Sequence, residues 1–433
     1  MFNRDMRSFC WGTALIFCVA APVSGQQNFA LANGLRVRLV PEPDPGHVSL
    51  VLAVRAGILN EGKGEPHLAH VSEHATVYDL GDAGLAETVK QWFPQAKVNA
   101  ETLGELMYFD VHCSRDELPT AIAIQASRLG KMNYAPATLD REIPRALSEV
   151  DHLSQQPGGM GKFALIPFVQ AVLYSQTNVP LRRLTKKIVV EDVRGFHDRW
   201  FQVGSARLIV AGDFDAVQAR KEIEDRFGPL ERSKNPPPRR PALLAGTRRV
   251  EWDVPKRHWF VAWQIPRVTE ADYPAVWLVG RLLQQRLFDA ANRAGSPGQV
   301  QVNHDLDRML VIGCEAPNEQ GFEAARKVVM SEIERMSQPG GIDRAALRSC
   351  CDQLEGFQRT NLDQVRLPPG MTRTMARTNI ELQRLIVELL TGDFEEFLTK
   401  LKAVSADSAR SAVRKWLSAD RACFVEVVPA GGE

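Results

Sequence analysis

The chain has 433 residues, 44% of them hydrophobic and 24% charged, an ordinary globular composition that excludes a disordered, collagen-like or multi-span membrane chain. Lys and Arg total 53 against 52 Asp and Glu, so no basic surplus points to a nucleic-acid partner. The length suits about two to four domains, each large enough to bury a core.

Residues 1–25 read as a secretory signal peptide. Arg4 and Arg7 make a basic start, Phe9 to Ala21 is an apolar run too short to span a bilayer comfortably, and Val23-Ser24-Gly25 offers small residues before cleavage. The expected compartment is the periplasm or the extracellular space, with no membrane span in the mature chain. Five cysteines follow residue 25: Cys113, Cys314, Cys350, Cys351 and Cys423. Their odd number and irregular spacing fit neither a disulfide framework nor a metal site.

An N-terminal half, residues 26–231, opens with two strand-like runs at 35–40 and 48–54. A linker at 232–246 holds Pro236-Pro237-Pro238, which can neither continue a helix nor sit inside a sheet. The C-terminal half, 247–433, opens likewise with β-rich runs at 249–254 and 259–263. Both halves also close alike: Arg199-Trp200-Phe201 leads into an apolar run from Ser205, and Lys415-Trp416-Leu417 into one from Arg421. Helical patterns lie between, at 118–132, 139–153, 272–294 and 321–336. The expected fold is α+β, with one α/β-sandwich domain (an antiparallel-rich sheet covered by helices) used twice.

Three of the nine histidines fall in one short stretch, His67-Leu-Ala-His70-Val-Ser-Glu73-His74. On a helix, His70 and His74 share one face a turn apart, where both imidazoles can grip one metal ion. Pro66 suits the first helical position and Gly81 a stop. Glu73 reaches a water on that metal without being a ligand, which is the inverzincin order His-x-x-Glu-His. Two imidazoles leave a catalytic site one ligand short. Glu142 and Glu149, seven residues apart, share a face of the 139–153 helix. Glu149 is placed on the metal and Glu142 behind a ligating histidine, with Glu142 and Glu101 as the competing carboxylates for the third position. Pro144 lies between the two and could kink that helix.

These residues resemble the insulinase/pitrilysin family of zinc peptidases, in its short bacterial and mitochondrial-processing-peptidase-like branch. The family's Gly-x-Ala-His-x-x-Glu-His helix matches Leu68 to His74. Its Asn-Ala-x-Thr signature matches Asn99-Ala100-Glu101-Thr102, its distal glutamate pair matches Glu142 and Glu149, and its Gly-Asp-Phe strand end matches Gly212-Asp213-Phe214. The resemblance spans the mature chain. It implies one Zn²⁺ per chain on His70, His74 and Glu149, Glu73 as general base, and a peptide substrate paired by β-addition along Asn99 and Ala100. It also implies that the chain is one half of a clamshell chamber completed by dimerisation.

One departure matters. Many family members carry an Arg and a Tyr in the second half that contact substrate near the zinc. The corresponding stretch here has Asn292 about where the Arg stands and Gly298 or Gln299 where the Tyr stands. Arg286 or Arg293 could replace the Arg, and Tyr273 is the only tyrosine of the second half. The expectation is therefore a heterodimer whose homologous partner supplies the Arg/Tyr pair, with a homodimer as the simpler version. A non-catalytic, zinc-stabilised scaffold or binding subunit of the same family is the alternative.

Overall fold

The strand register divides the chain into two sheets of matching plan. In the computed structural model, the residues described are 25–62, 65, 67–155, 187–233, 243, 245–252, 257–293, 300–305, 309–316 and 319–429. Residues 1–24, read above as a signal peptide, Pro66 and the triple proline of the linker lie outside them. The first sheet and its helices comprise β1 (Gln27–Ala30), β2 (Arg36–Pro41), β3 (His47–Val54), α1 (Leu68–Tyr78), α2 (Ala83–Trp92), β4 (Val98–Thr102), β5 (Met107–Ser114), α3 (Leu118–Ser127), α4 (Pro136–Gln155), α5 (Val190–Trp200), β6 (Arg207–Gly212) and α6 (Ala216–Phe227). Then follow β7 (Gly246–Trp252), β8 (Arg257–Gln264), α7 (Tyr273–Arg293), β9 (Val300–Asp305), β10 (Met309–Ala316), α8 (Glu319–Ser337), α9 (Arg344–Gln358), α10 (Arg373–Thr391), α11 (Phe394–Lys402), α12 (Ala406–Trp416) and β11 (Cys423–Pro429).

The sheets are ordered β1-β2-β6-β3-β5-β4 and β7-β11-β8-β10-β9. In the first, β2 and β6 are parallel while β6/β3, β3/β5 and β5/β4 are antiparallel. In the second, β7 and β11 are parallel while β11/β8, β8/β10 and β10/β9 are antiparallel. Apart from β1 the two plans coincide strand for strand, as the similar openings and endings of the halves predict. The fold is α+β. Of the cysteines, Cys113, Cys350, Cys351 and Cys423 are buried free thiols.

Burial on both faces explains the continuous apolar run of β3. Leu50, Leu52 and Val54 enter the core beneath α1 and α3, together with Phe109, Val111, Leu208 and Val210. Val51 and Ala53 point the other way, with Ile209, and meet Leu382, Leu385 and Leu389. Those three leucines ride on α10, so a helix from late in the chain lies across β6 and β3 of the first sheet. Thr372 caps α10, accepting from Met375 N–H.

Ion pairs fasten α10 to the sheet. Arg38 of β2 reaches Glu381 at 3.0 Å and Glu388 at 2.7 Å. Glu42, its side chain 2% exposed, accepts from Arg377 at 2.8 Å and also from Arg373. A buried charge pair contributes little net stability over an apolar pair, but removing one partner strands the other charge. Glu42→Ala should therefore lower unfolding stability by about 3 kcal/mol, read as a lower urea midpoint at unchanged slope. A midpoint equal to wild type would show that Glu42 does not fasten the two halves.

Candidate metal centre

Helix α1 is seated by Leu68, Ala69, Val71 and Ala75 in the first core. Its first turn is closed by Glu61, whose carboxylate accepts the Ala69 N–H at 2.9 Å, and it starts from His67 in the left-handed conformation (φ 64°). His70 and His74 emerge on the face turned toward α4, half-buried, with ring centroids 4.8 Å apart and nearly perpendicular. The end of α1 and the start of α4 are tied by Asp79. Its carboxylate accepts the Ala135 N–H at 3.0 Å and the Thr138 hydroxyl at 2.7 Å. The Arg141 guanidinium also lies over the Tyr78 ring at 5.2 Å.

Helix α4 runs through Pro144 without ending. It carries Glu149 to the paired imidazoles, with one carboxylate oxygen 3.7 Å from His70 Nε2 and 3.5 Å from His74 Nε2. One donor atom from each of His70, His74 and Glu149 lies within 4.8 Å of the other two. Two imidazoles and a carboxylate so spaced match the donor set of a three-ligand zinc site with one open position. Glu142, two turns earlier on α4, is 1% exposed and meets His74 Nδ1 at 3.1 Å, which leaves Nε2 facing the cluster. Its second oxygen accepts from Arg141 at 2.5 Å and Arg145 at 3.0 Å. Glu101 hydrogen-bonds Tyr108 instead and stands outside the cluster.

The electrostatics follow from this crowding. Burial disfavours the His74 imidazolium, but hydrogen bonds with Glu142 and Glu149 outweigh it and lift His74 to about 10. Burial likewise opposes the Glu149 carboxylate, yet His70 and His74 pull it down to about 2.

Asn99 and Ala100 lie half-buried on β4, which is a strand and not a turn. Among the described residues β4 pairs only with β5 and so ends the sheet, and it packs beside α1. Glu73, 6% exposed, is held from this strand: the Thr102 hydroxyl donates to its carboxylate at 2.7 Å. Sequence reasoning gave Thr102 no role. The available signal was its place as the last residue of Asn-Ala-x-Thr.

In the second half, Tyr273 and Arg286 are both engaged away from the metal cluster. Tyr273 is 1% exposed and packs 5.9 Å from the Phe397 ring. Arg286 is engaged by Glu332 at 3.1 Å and the Gly341 carbonyl at 2.8 Å. Asn292 and Arg293 end α7, and Gly298 and Gln299 lie outside the described residues.

Comparison with known proteins agrees with this architecture. Residues 187–354 match the family described as peptidase M16 inactive domain, a span that begins after Glu149 and so omits the whole metal cluster. The chain is 22% identical over 349 residues to the zinc protease PqqE of Helicobacter pylori, covering 74% of this chain and 76% of that protein. A solved protease from Helicobacter pylori superposes with a TM-score of 0.70 at 16% identity, over 95% of this chain and all of that one. The periplasmic protease PqqL of Escherichia coli superposes with a TM-score of 0.62 at 18% identity, over 94% of this chain but only 48% of PqqL. The fold is thus that of M16 peptidase halves.

Because Glu142 fixes the orientation of His74, Glu142→Gln should weaken Zn²⁺ affinity about 10–100-fold while one ion still binds at saturation. Competition against a chromophoric chelator measures this. Unchanged affinity would remove Glu142 from the metal centre.

Proposed function

We propose that this chain is a zinc-dependent endopeptidase subunit that hydrolyses peptides or unfolded polypeptide segments. The observation that carries the reading is the convergence of His70, His74 and Glu149 beside a buried Glu73 that the edge strand itself holds. His70, His74 and Glu149 would hold the ion. When bound, Zn²⁺ supplies Lewis acidity, which acidifies water and polarises a carbonyl.

The chain's own residues do the rest. The outer edge of β4, terminal among the described strands, accepts an extended peptide as an added strand, reading main chain at Asn99 and Ala100 and leaving side-chain choice loose. Glu73 takes a proton from the attacking water and delivers it to the leaving amine. Thr102 donates to one oxygen of Glu73 and so aims the other. Glu142 keeps His74 Nε2 toward the ion. An edge strand can be offered only an unfolded partner, which sets the substrate class.

Residues 1–25 would export the chain to the periplasm or beyond, and among the described residues no helix is long and apolar enough to cross a membrane. A homologous subunit closes the chamber and supplies the Arg/Tyr pair, since Tyr273 is committed to the second core and Arg286 to Glu332. That same commitment favours one second reading, a zinc-stabilised binding subunit without catalysis.

Expressed from Gln26 with zinc supplied at neutral pH, the chain should hold one Zn²⁺ by elemental analysis. Glu149→Gln should lose the ion. Glu73→Gln and Thr102→Val should keep it, and Glu73→Gln should lower peptide turnover by about 10²–10⁴-fold. Turnover by the chain alone should be weak and should rise when the partner is added. No zinc in the wild type would overturn the metal site. Zinc without turnover, partner present, would establish the binding-subunit reading, and full activity as a homodimer would refute the supplied pair.

A further inference from the structure

The face of the first sheet that carries α10 holds a second charged feature, away from the metal centre. One row of cross-strand neighbours runs over that face: Arg36 in β2 opposes Arg207 in β6, Arg207 opposes Ala53 in β3, Ala53 opposes Tyr108 in β5, and Tyr108 opposes Glu101 in β4. The row shares its face with Ala53, which packs with Val51, Ile209 and the α10 leucines. It therefore begins with two adjacent guanidiniums and ends at the strand proposed to receive peptide.

Like charges directly opposite each other destabilise a sheet unless something neutralises them. One step along, Arg38 is neutralised twice, by Glu381 and Glu388. Arg36 and Arg207 are not: among the described residues neither makes an ion pair, and Arg207 donates only to the Ala206 carbonyl, at 2.8 Å. Arg207 is half-buried and Arg36 exposed. Burial and the neighbouring Arg36 pull the Arg207 guanidinium down to about 10, against the attraction of Glu388, with Arg55 adding further repulsion. Arg55 has its own carboxylate, Glu105, at 3.6 Å, and Glu388 is spent on Arg38 and Arg384. A half-buried guanidinium among cations, with an apolar floor beside it, is short of one anion.

We propose that Arg36 and Arg207 form a carboxylate subsite for a peptide whose neighbouring segment is paired along β4. The ligand chemistry is a peptide carboxylate, from an acidic side chain or a free C-terminus, and it narrows the substrate class to acidic or C-terminal segments. Three strand spacings, roughly 14 Å, separate β6 from β4, which an extended chain crosses in about four or five residues. The subsite rests on the peptide-pairing part of the function proposed above and not on hydrolysis.

Equilibrium binding separates the two. Fluorescence anisotropy of labelled ten-residue unstructured peptides is measured on the zinc-supplied full chain carrying Glu73→Gln to suppress turnover. One peptide is neutral and amidated, one amidated with Glu near its C-terminal end, and one neutral with a free C-terminus. At low salt, one or both carboxylate peptides should bind about 10-fold tighter than the neutral one, and which of them does identifies the source. Arg207→Gln with Arg36→Gln should erase that advantage and leave the neutral peptide unchanged. Because Arg36 is exposed, Arg36→Gln alone keeps the test readable if the double variant misfolds, and it should remove part of the advantage. Equal binding of all three peptides, or an equal loss for all in the variants, would overturn the subsite while β-pairing stands. No binding of any peptide would overturn both.

Discussion

A three-ligand metal site built on two imidazoles one helical turn apart needs a third donor from outside their helix, and the carboxylate that the fold brings to His70 and His74 is Glu149 of α4. Everything around the cluster serves this meeting. Asp79 ties the end of α1 to the start of α4, Arg141 reaches back over Tyr78, and α4 continues past Pro144 to present Glu149. A proline within a helix removes one hydrogen bond and can bend the helix, but the fold seats Glu149 against His70 and His74 all the same. Glu142 then fixes the His74 ring through Nδ1, so that Nε2 faces His70 and Glu149.

The duplicated plan shows how one half became specialised. In the first sheet α1 and α2 precede the edge strand β4, and in the second α7 precedes the edge strand β9. Where α1 exposes His70 and His74 toward α4, α7 buries Leu282, Leu283 and Leu287 in the second core. The second half contributes differently, by laying α10 on the outer face of the first sheet and fastening it through Arg38 and Glu42. That cover lies chiefly on β6 and β3, and among the described residues β4 has no strand on its outer side. Strand addition requires such an edge on a stable sheet.

Much of this was legible in the sequence because it is local. The alternation of β2, the spacing of His70, Glu73 and His74, and the seven-residue interval from Glu142 to Glu149 are periodicities of single elements, and each falls within one strand or helix of the fold. Asn99 and Ala100 lie on β4 beside α1, a long-range neighbourhood that the family resemblance, and no local pattern, pointed to. What stayed hidden depends on pairings that no local pattern encodes. Arg38 finds Glu381 across 343 positions of sequence, and Glu73 takes its hydroxyl donor from Thr102, 29 positions away on another element. Arg36 and Arg207 become neighbours only through the parallel register of β2 and β6. Helix boundaries moved for simpler reasons: α4 begins at Pro136, three residues before its apolar pattern, since proline is at home in a first turn.

The central claim is that one metal ion sits between α1 and α4. The most direct measurement is diffraction from zinc-grown crystals on both sides of the zinc absorption edge. The account predicts a single anomalous peak, about 2.0–2.2 Å from Nε2 of His70, Nε2 of His74 and a carboxylate oxygen of Glu149, with Glu73 outside bonding distance. No peak between the helices, or a peak bonded by Glu73 in place of Glu149, would contradict it.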